Sequence, residues 1–269
     1  MKVALLIIWL LLIGGEQQPS PRNVILRAKT TAEQEKVIRT AIAEGNLESY
    51  AQAYLVAYKK SRESRFLYGV LRTQFYERYL LRYIGSDIHV VQHLEDSRPV
   101  IAIIETVPAV LKNDAYALAG YYRWVDLCRE TRLRPAKESH EWATARIGGR
   151  TEQVMVTRTM ADPAKQERLT ELFCQAEKLA PNNPMVLQIA SEREKTVQRS
   201  YSLMKAAYEM GGKWLFPEQA LYAMFDLATK LGRPAEAEES RHALEAWLAA
   251  NPQSVFKKML RIDHPSFKH

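Results

Sequence analysis

A helix that is stopped and restarted within four residues is the feature that most constrains this fold. In AEKLAPNNPMVLQIA, Ala176–Ala190, two apolar-periodic stretches flank Pro181-Asn182-Asn183-Pro184. Proline lacks the backbone N–H that a helix interior needs, and its ring clashes with the preceding turn. It is tolerated in a helix's first turn, and Asn is a strong residue for the position just before that turn. Pro181 therefore ends one helix, and Asn183-Pro184 opens the next. A connection this short lays the two helices side by side and antiparallel.

The same punctuation recurs along a chain with only 11 Gly and 12 Pro in 269 residues. In Thr31 to Glu44, the residues Val37, Ile38, Ala41 and Ile42 draw one apolar helical stripe. Gly45-Asn46 breaks it, and Leu47, Tyr50, Ala51, Tyr54, Leu55 and Tyr58 draw a second. Further helices are expected over Glu63–Tyr83, Asp87–Glu95, Pro99–Lys112 with an interruption at Pro108, and Ala115–Arg132. Periodicity is poor from Leu133 to Pro163. There, Gly148-Gly149 between Thr144–Ile147 and the β-prone Val154–Thr157 fits either a small hairpin or a loop. Helices return over Lys165–Leu179, Pro184–Glu194, Thr196–Met210, Pro217–Leu231 and Ala235–Ala250. The expected organisation is a flexible linker at 16–30, an N-terminal helical block at 31–134, an irregular connection at 135–163, a C-terminal helical block at 164–252 and a basic tail at 253–269.

Leu187 and Leu221 occupy matching places on successive first helices and are 34 residues apart. Phe173, Ala176 and Pro181 in FCQAEKLAPNNP resemble the tetratricopeptide (TPR) family, as do Leu231-Gly232-Arg233, Ala237 and Pro252 in the last hairpin. Gly45-Asn46 with Tyr54 and Ala57 is a fragment of the same pattern. The family's units are helix-turn-helix hairpins of about 34 residues. The pattern is degenerate here: no first helix carries the family's full Trp, Leu-Gly and Tyr set, and Arg241 stands where an aromatic belongs. The resemblance implies an all-α fold of antiparallel hairpins stacked as a TPR-like solenoid, with an irregular or β-hairpin insertion near 140–160. It supplies no catalytic residue.

The amino terminus has Lys2, an unbroken apolar run from Val3 to Ile13, Gly14-Gly15 and then a polar stretch. This is the layout of a secretory signal peptide, expected at 1–15, since a membrane-crossing helix takes about 20 apolar residues. Retention of the run as an anchor is the alternative. Cleavage would leave no integral span and place the chain in a secreted or periplasmic compartment of the cell envelope. Only Cys128 and Cys174 are present, and both a bridge and two free thiols remain open.

Two groups of residues are candidates for function. Between Lys59 and Tyr83, seven Lys and Arg face only Glu63 and Glu77, with aromatics interleaved. Within that stretch Arg65, Tyr68, Arg72, Tyr76 and Tyr79 recur at spacings of three or four, so they share one helical face that suits a ligand surface. His89 and His93, four apart, could hold a metal but lack the Glu of a zincin motif. No Ser elbow, Walker loop, dinucleotide fingerprint or Cys-x-x-Cys motif is present, so no cofactor is expected. The leading reading is a non-enzymatic protein that binds a protein or peptide. With a net charge of +7, an acidic polymer is also permitted. The rival is a metal-dependent or acid-base hydrolase using His89, His93 or His140.

Overall fold

A computed structural model of the chain describes residues 20–84, 98–127, 138–147, 150–159, 163–211 and 217–252. The apolar run at 3–13, the expected helix at 87–95 and the basic tail lie outside the described residues. Described helices are α1 (Pro21–Arg27), α2 (Thr31–Ala43), α3 (Leu47–Ser61), α4 (Ser64–Ile84), α5 (Arg98–Ile104), α6 (Val107–Val110) and α7 (Ala115–Leu127). After them come α8 (Pro163–Leu179), α9 (Pro184–Arg193), α10 (Val197–Gly211), α11 (Pro217–Lys230) and α12 (Pro234–Ala250). Between α7 and α8, β1 (Glu138–Ile147) and β2 (Arg150–Thr159) pair antiparallel, with Trp142 opposite Met155 and Ile147 opposite Arg150.

Local chemistry places the helix ends. Thr30 and Glu33 form a reciprocal capping box at α2: the Glu33 N–H donates to Thr30 Oγ1 at 3.1 Å, and the Thr30 N–H donates to Glu33 Oε2 at 3.0 Å. Asn183 Oδ1 accepts from the N–H groups of Met185 and Val186 at the start of α9, directly before Pro184. Gly45 and Gly232 take positive φ, 68° and 66°, at the ends of α2 and α11. In both turns the glycine N–H donates three residues back and the next N–H five residues back (Asn46 to Ala41, Arg233 to Ala228). That is the Schellman closure, which needs a left-handed residue and so favours glycine. Pro108 lies in α6, and the helix expected over Pro99–Lys112 is two short ones.

The stretch expected to be a flexible linker instead contains α1, whose Ile25 is fully buried. Its last carbonyls are held from outside. Gln34 Nε2 donates to Ile25 O at 3.1 Å and Ala28 O at 2.7 Å, while Arg65 Nη1 donates to Leu26 O at 3.2 Å and Ala28 O at 2.9 Å. These groups would otherwise be the unpaired end of a very short helix.

One core runs through the N-terminal helices and on into α8, α9 and α10, joining Ile38, Tyr54, Leu71 and Trp124 to Leu169, Val186 and Ala207. The expected seam at 135–163 therefore interrupts the sequence but not the packing. α7 lies against both α8 and α9, and Arg123 of α7 forks onto Glu192 of α9. Lys165 Nζ also donates to Asp126 O at 2.9 Å. Two smaller clusters finish the chain: Tyr201, Met204, Ala220, Met224, Ala228 and Ala237, then Leu221, Leu244 and Leu248. Where α9 meets α10, Ser191 Oγ donates to Ser200 O and Ser200 Oγ to Ser191 O, both at 2.8 Å.

Of the described glycines Gly69 is the most closely approached: an added β-carbon there would overlap the ring of Tyr54, itself fully buried. Gly69→Ala is expected to destabilise the chain by about 1–3 kcal/mol, the usual range for overpacking. Urea unfolding followed by circular dichroism measures this, and a midpoint equal to the parent's would refute the packing at this contact.

Candidate functional site

The face expected to meet a ligand is on α4, and the structure turns it inward. Phe66 through Thr73 are buried without interruption, because α2, α3, α5, α6 and α7 all pack against this helix. A helix surrounded in this way is a core helix, whatever polar residues it carries. Tyr68, Arg72 and Tyr76 do share one face, as their spacing requires, but it looks onto Glu35 of α2, which is 1% exposed. Arg65 is used at the end of α1 and in an ion pair with Glu63 at 2.7 Å. Tyr79 continues on α4, and its side chain lies outside the described residues. The expectation of a solvent-facing ligand surface formed by these residues is thus corrected: three of the five are core.

Glu35 is saturated. Oε1 accepts from Arg72 Nη2 at 2.9 Å and from the Tyr76 hydroxyl at 2.6 Å. Oε2 accepts from Arg72 Nε at 2.9 Å and from the Tyr68 hydroxyl at 2.7 Å. The guanidinium lies 4.8 Å from the Phe75 ring and 4.6 Å from the Tyr76 ring. Burial alone would raise the Glu35 pKa, but the charge and hydrogen bonds of Arg72 outweigh it, helped by Arg39 and Tyr76, and bring the carboxyl down to about 2. Burial raises Tyr68 and Tyr76 well above the ordinary phenol, with Glu35 adding to the rise. Beside this centre, the Tyr54 hydroxyl donates to Gln34 Oε1, so Gln34 links α3 to the end of α1.

This chemistry holds helices together and does not turn over a substrate. A carboxylate kept ionised and filled by four donors is a weak base with no position left for a reacting proton. Nor can the raised phenols serve as bases near neutral pH. His89 and His93 lie outside the described residues, as does Cys128, and the side chain of His140 on β1 is outside them too. Cys174 is exposed on α8. Among the described residues, no group of three or more His, Cys, Asp or Glu is placed to hold a metal ion, and no helix is long and apolar enough to cross a membrane.

Sequence reasoning passed over Glu35 and Gln34. The signal was present: Glu35 stands three and seven residues before Ile38 and Ile42, in phase with the apolar stripe of α2. A charge on the buried side of a helix calls for an opposite charge on a neighbour, and Arg72 supplies it.

No family model and no curated protein matches this chain. Among solved structures it is similar to a thermophilic TPR protein of Thermus thermophilus, with 14% sequence identity and a TM-score of 0.48, over 88% of this chain and 98% of that one.

Removing one partner of the centre strands the other charge, so Arg72→Ala is expected to destabilise by about 3–5 kcal/mol. Replacing both, as Glu35→Leu with Arg72→Met, should recover a large part of that loss. The pH dependence has a fixed sign. Because the folded Glu35 carboxyl sits at about 2 and its ordinary value is 4.5, its contribution is complete above the ordinary value and drains away as pH falls toward 2. Chemical unfolding across that range should show a shallower acid limb for Glu35→Gln than for the parent. Parallel limbs would mean that Glu35 is not the ionised partner.

Proposed function

We propose that this chain is an exported helical-repeat protein that binds a protein or peptide partner in the cell envelope. The observation that carries the reading is the order of packing in the C-terminal block. α9 lies on α10, α10 on α11 and α11 on α12, each helix chiefly on its sequence neighbour. Nearest-neighbour stacking of this kind supports a solenoid-like array, a form that offers a long ridged surface for recognition in place of a closed pocket. The TPR-like punctuation at Pro181, Gly232 and Pro252 supports the same reading.

The half-buried Tyr222 and Phe225 of α11 suit a partner contact, with ring centroids 6.5 Å apart beside the Leu221–Leu244–Leu248 cluster. Aromatic side chains are enriched in the cores of protein interfaces. Export rests on Lys2 and the apolar run Val3–Ile13.

Both parts of the proposal meet one experiment on the chain tagged at its carboxyl end and expressed in its host. The expected outcome is recovery from the envelope fraction with the first ~15–20 residues removed. Crosslinking should capture a discrete partner, and Tyr222→Ala with Phe225→Ala should release it while leaving a cooperative melt. A cytosolic chain with an intact amino terminus overturns export. Unchanged capture by the double variant overturns α11 as the contact.

A further inference from the structure

The basic excess of the 59–83 stretch is divided by the fold. Arg72 goes into the core, while Lys59, Lys60 and Arg62 stay exposed at the end of α3. The chain ends that meet there add further cations. Arg65, just inside α4, donates to the carbonyls of Leu26 and Ala28, which brings the end of α1 with exposed Arg27 and Lys29 to the same place. The Glu63 carboxyl is lowered chiefly by the hydrogen bond and charge of Arg65, with Lys29 adding the smallest share. Six cations thus lie at the ends of α1 and α3 and the start of α4, and the carboxylates beside them, Glu33 and Glu63, are both engaged. Glu63 holds Arg65, and Glu33 accepts the backbone N–H groups of Lys29 and Thr30.

Exposed aliphatic side chains sit among these charges. Val56 is 63% exposed, and it precedes Lys59 and Lys60 by three and four residues on one face of α3. Leu26, 38% exposed, lies beside Arg27 and three residues before Lys29, whose Nζ donates to its carbonyl. The aromatic rings of this region are withdrawn instead: Tyr58 and Phe66 are buried, with Arg62 and Arg65 covering them. A single-stranded nucleic acid needs exposed rings on which bases stack. Cations interleaved with exposed aliphatic side chains fit the boundary between headgroups and acyl chains.

We propose that this end of the N-terminal block docks on an anionic lipid surface, with Arg27, Lys29, Lys59, Lys60 and Arg62 against phosphate headgroups and Leu26 and Val56 entering the layer beneath. The inference is independent of the partner proposed for α11. Each cation brought to an anionic bilayer strengthens binding by about fivefold, so loss of three weakens it by roughly a hundredfold.

The test uses the full-length chain carrying Leu6→Gln, Ile8→Gln and Leu11→Gln, so that the amino-terminal apolar run does not itself enter bilayers. It is sedimented with vesicles of equimolar phosphatidylglycerol and phosphatidylcholine, and with vesicles of phosphatidylcholine alone. Binding to the anionic vesicles is expected to be about tenfold or more tighter and to weaken as salt is raised. Arg27→Gln with Lys59→Gln and Lys60→Gln should lose roughly two orders of magnitude at an unchanged melting temperature, whereas Lys59→Arg with Lys60→Arg should bind as the parent does. Equal binding to both vesicle types, parental binding by the Gln variant, or capture of an oligothymidylate in place of vesicles overturns the proposal.

Discussion

The N-terminal half is organised around one charge pair removed from water. Taking Glu35 and Arg72 out of solvent costs several kcal/mol per ion, and only a closely fitted set of partners offsets it. The planar guanidinium fork supplies two of the four donors to Glu35, and the hydroxyls of Tyr68 and Tyr76 supply the others. All three donor residues come from one helix, at spacings of four, so α4 has to present that face to α2 and no other. Once its rotation about its own axis is set, Gly69 meets Tyr54 on α3 and Arg65 reaches the end of α1. The pair is weak as a source of net stability and strong as a device for register.

The two ends of the chain are built by different rules. Around α4, helices converge from several directions and close a core, as in an ordinary globular domain. After α9 each helix chiefly meets its neighbours in sequence, and the apolar clusters become small and successive. Small residues mark these later crossings: Ala220, Ala228 and Ala237 let helix backbones approach. The largest core is shared between the N-terminal helices and α8, α9 and α10, and that explains why the sequence break at 135–163 leaves the packing intact.

Helix boundaries were the legible part of the fold. Gly45, Pro181, Pro184 and Gly232 act locally, through φ and through a missing N–H, so their effect can be read without knowing the tertiary structure. α8 to α12 start and stop within two residues of the expected positions. Side-chain direction was not legible in the same way. Periodicity places Arg65, Tyr68, Arg72 and Tyr76 on one stripe, yet a stripe of cations and phenols reads as wet unless its buried counter-ion is found 37 positions earlier, at Glu35. α1 was hidden for a related reason. Seven residues are too few to hold a helix alone, and the side chains that close its last turn belong to Gln34 and Arg65.

The paired serines between α9 and α10 have a mechanical meaning. Each hydroxyl grips the other's backbone carbonyl, so two short bonds help set the angle at which α10 leaves α9, alongside the apolar packing of the two helices. Because α11 packs on α10 and α12 on α11, a change in that angle is passed on to both. With helix axes about 8–10 Å apart, a pivot of about 5° at the serines swings a helix two positions on by roughly 2 Å. The Ser191–Ser200 contact therefore acts as a pivot whose setting is felt by α11 and α12.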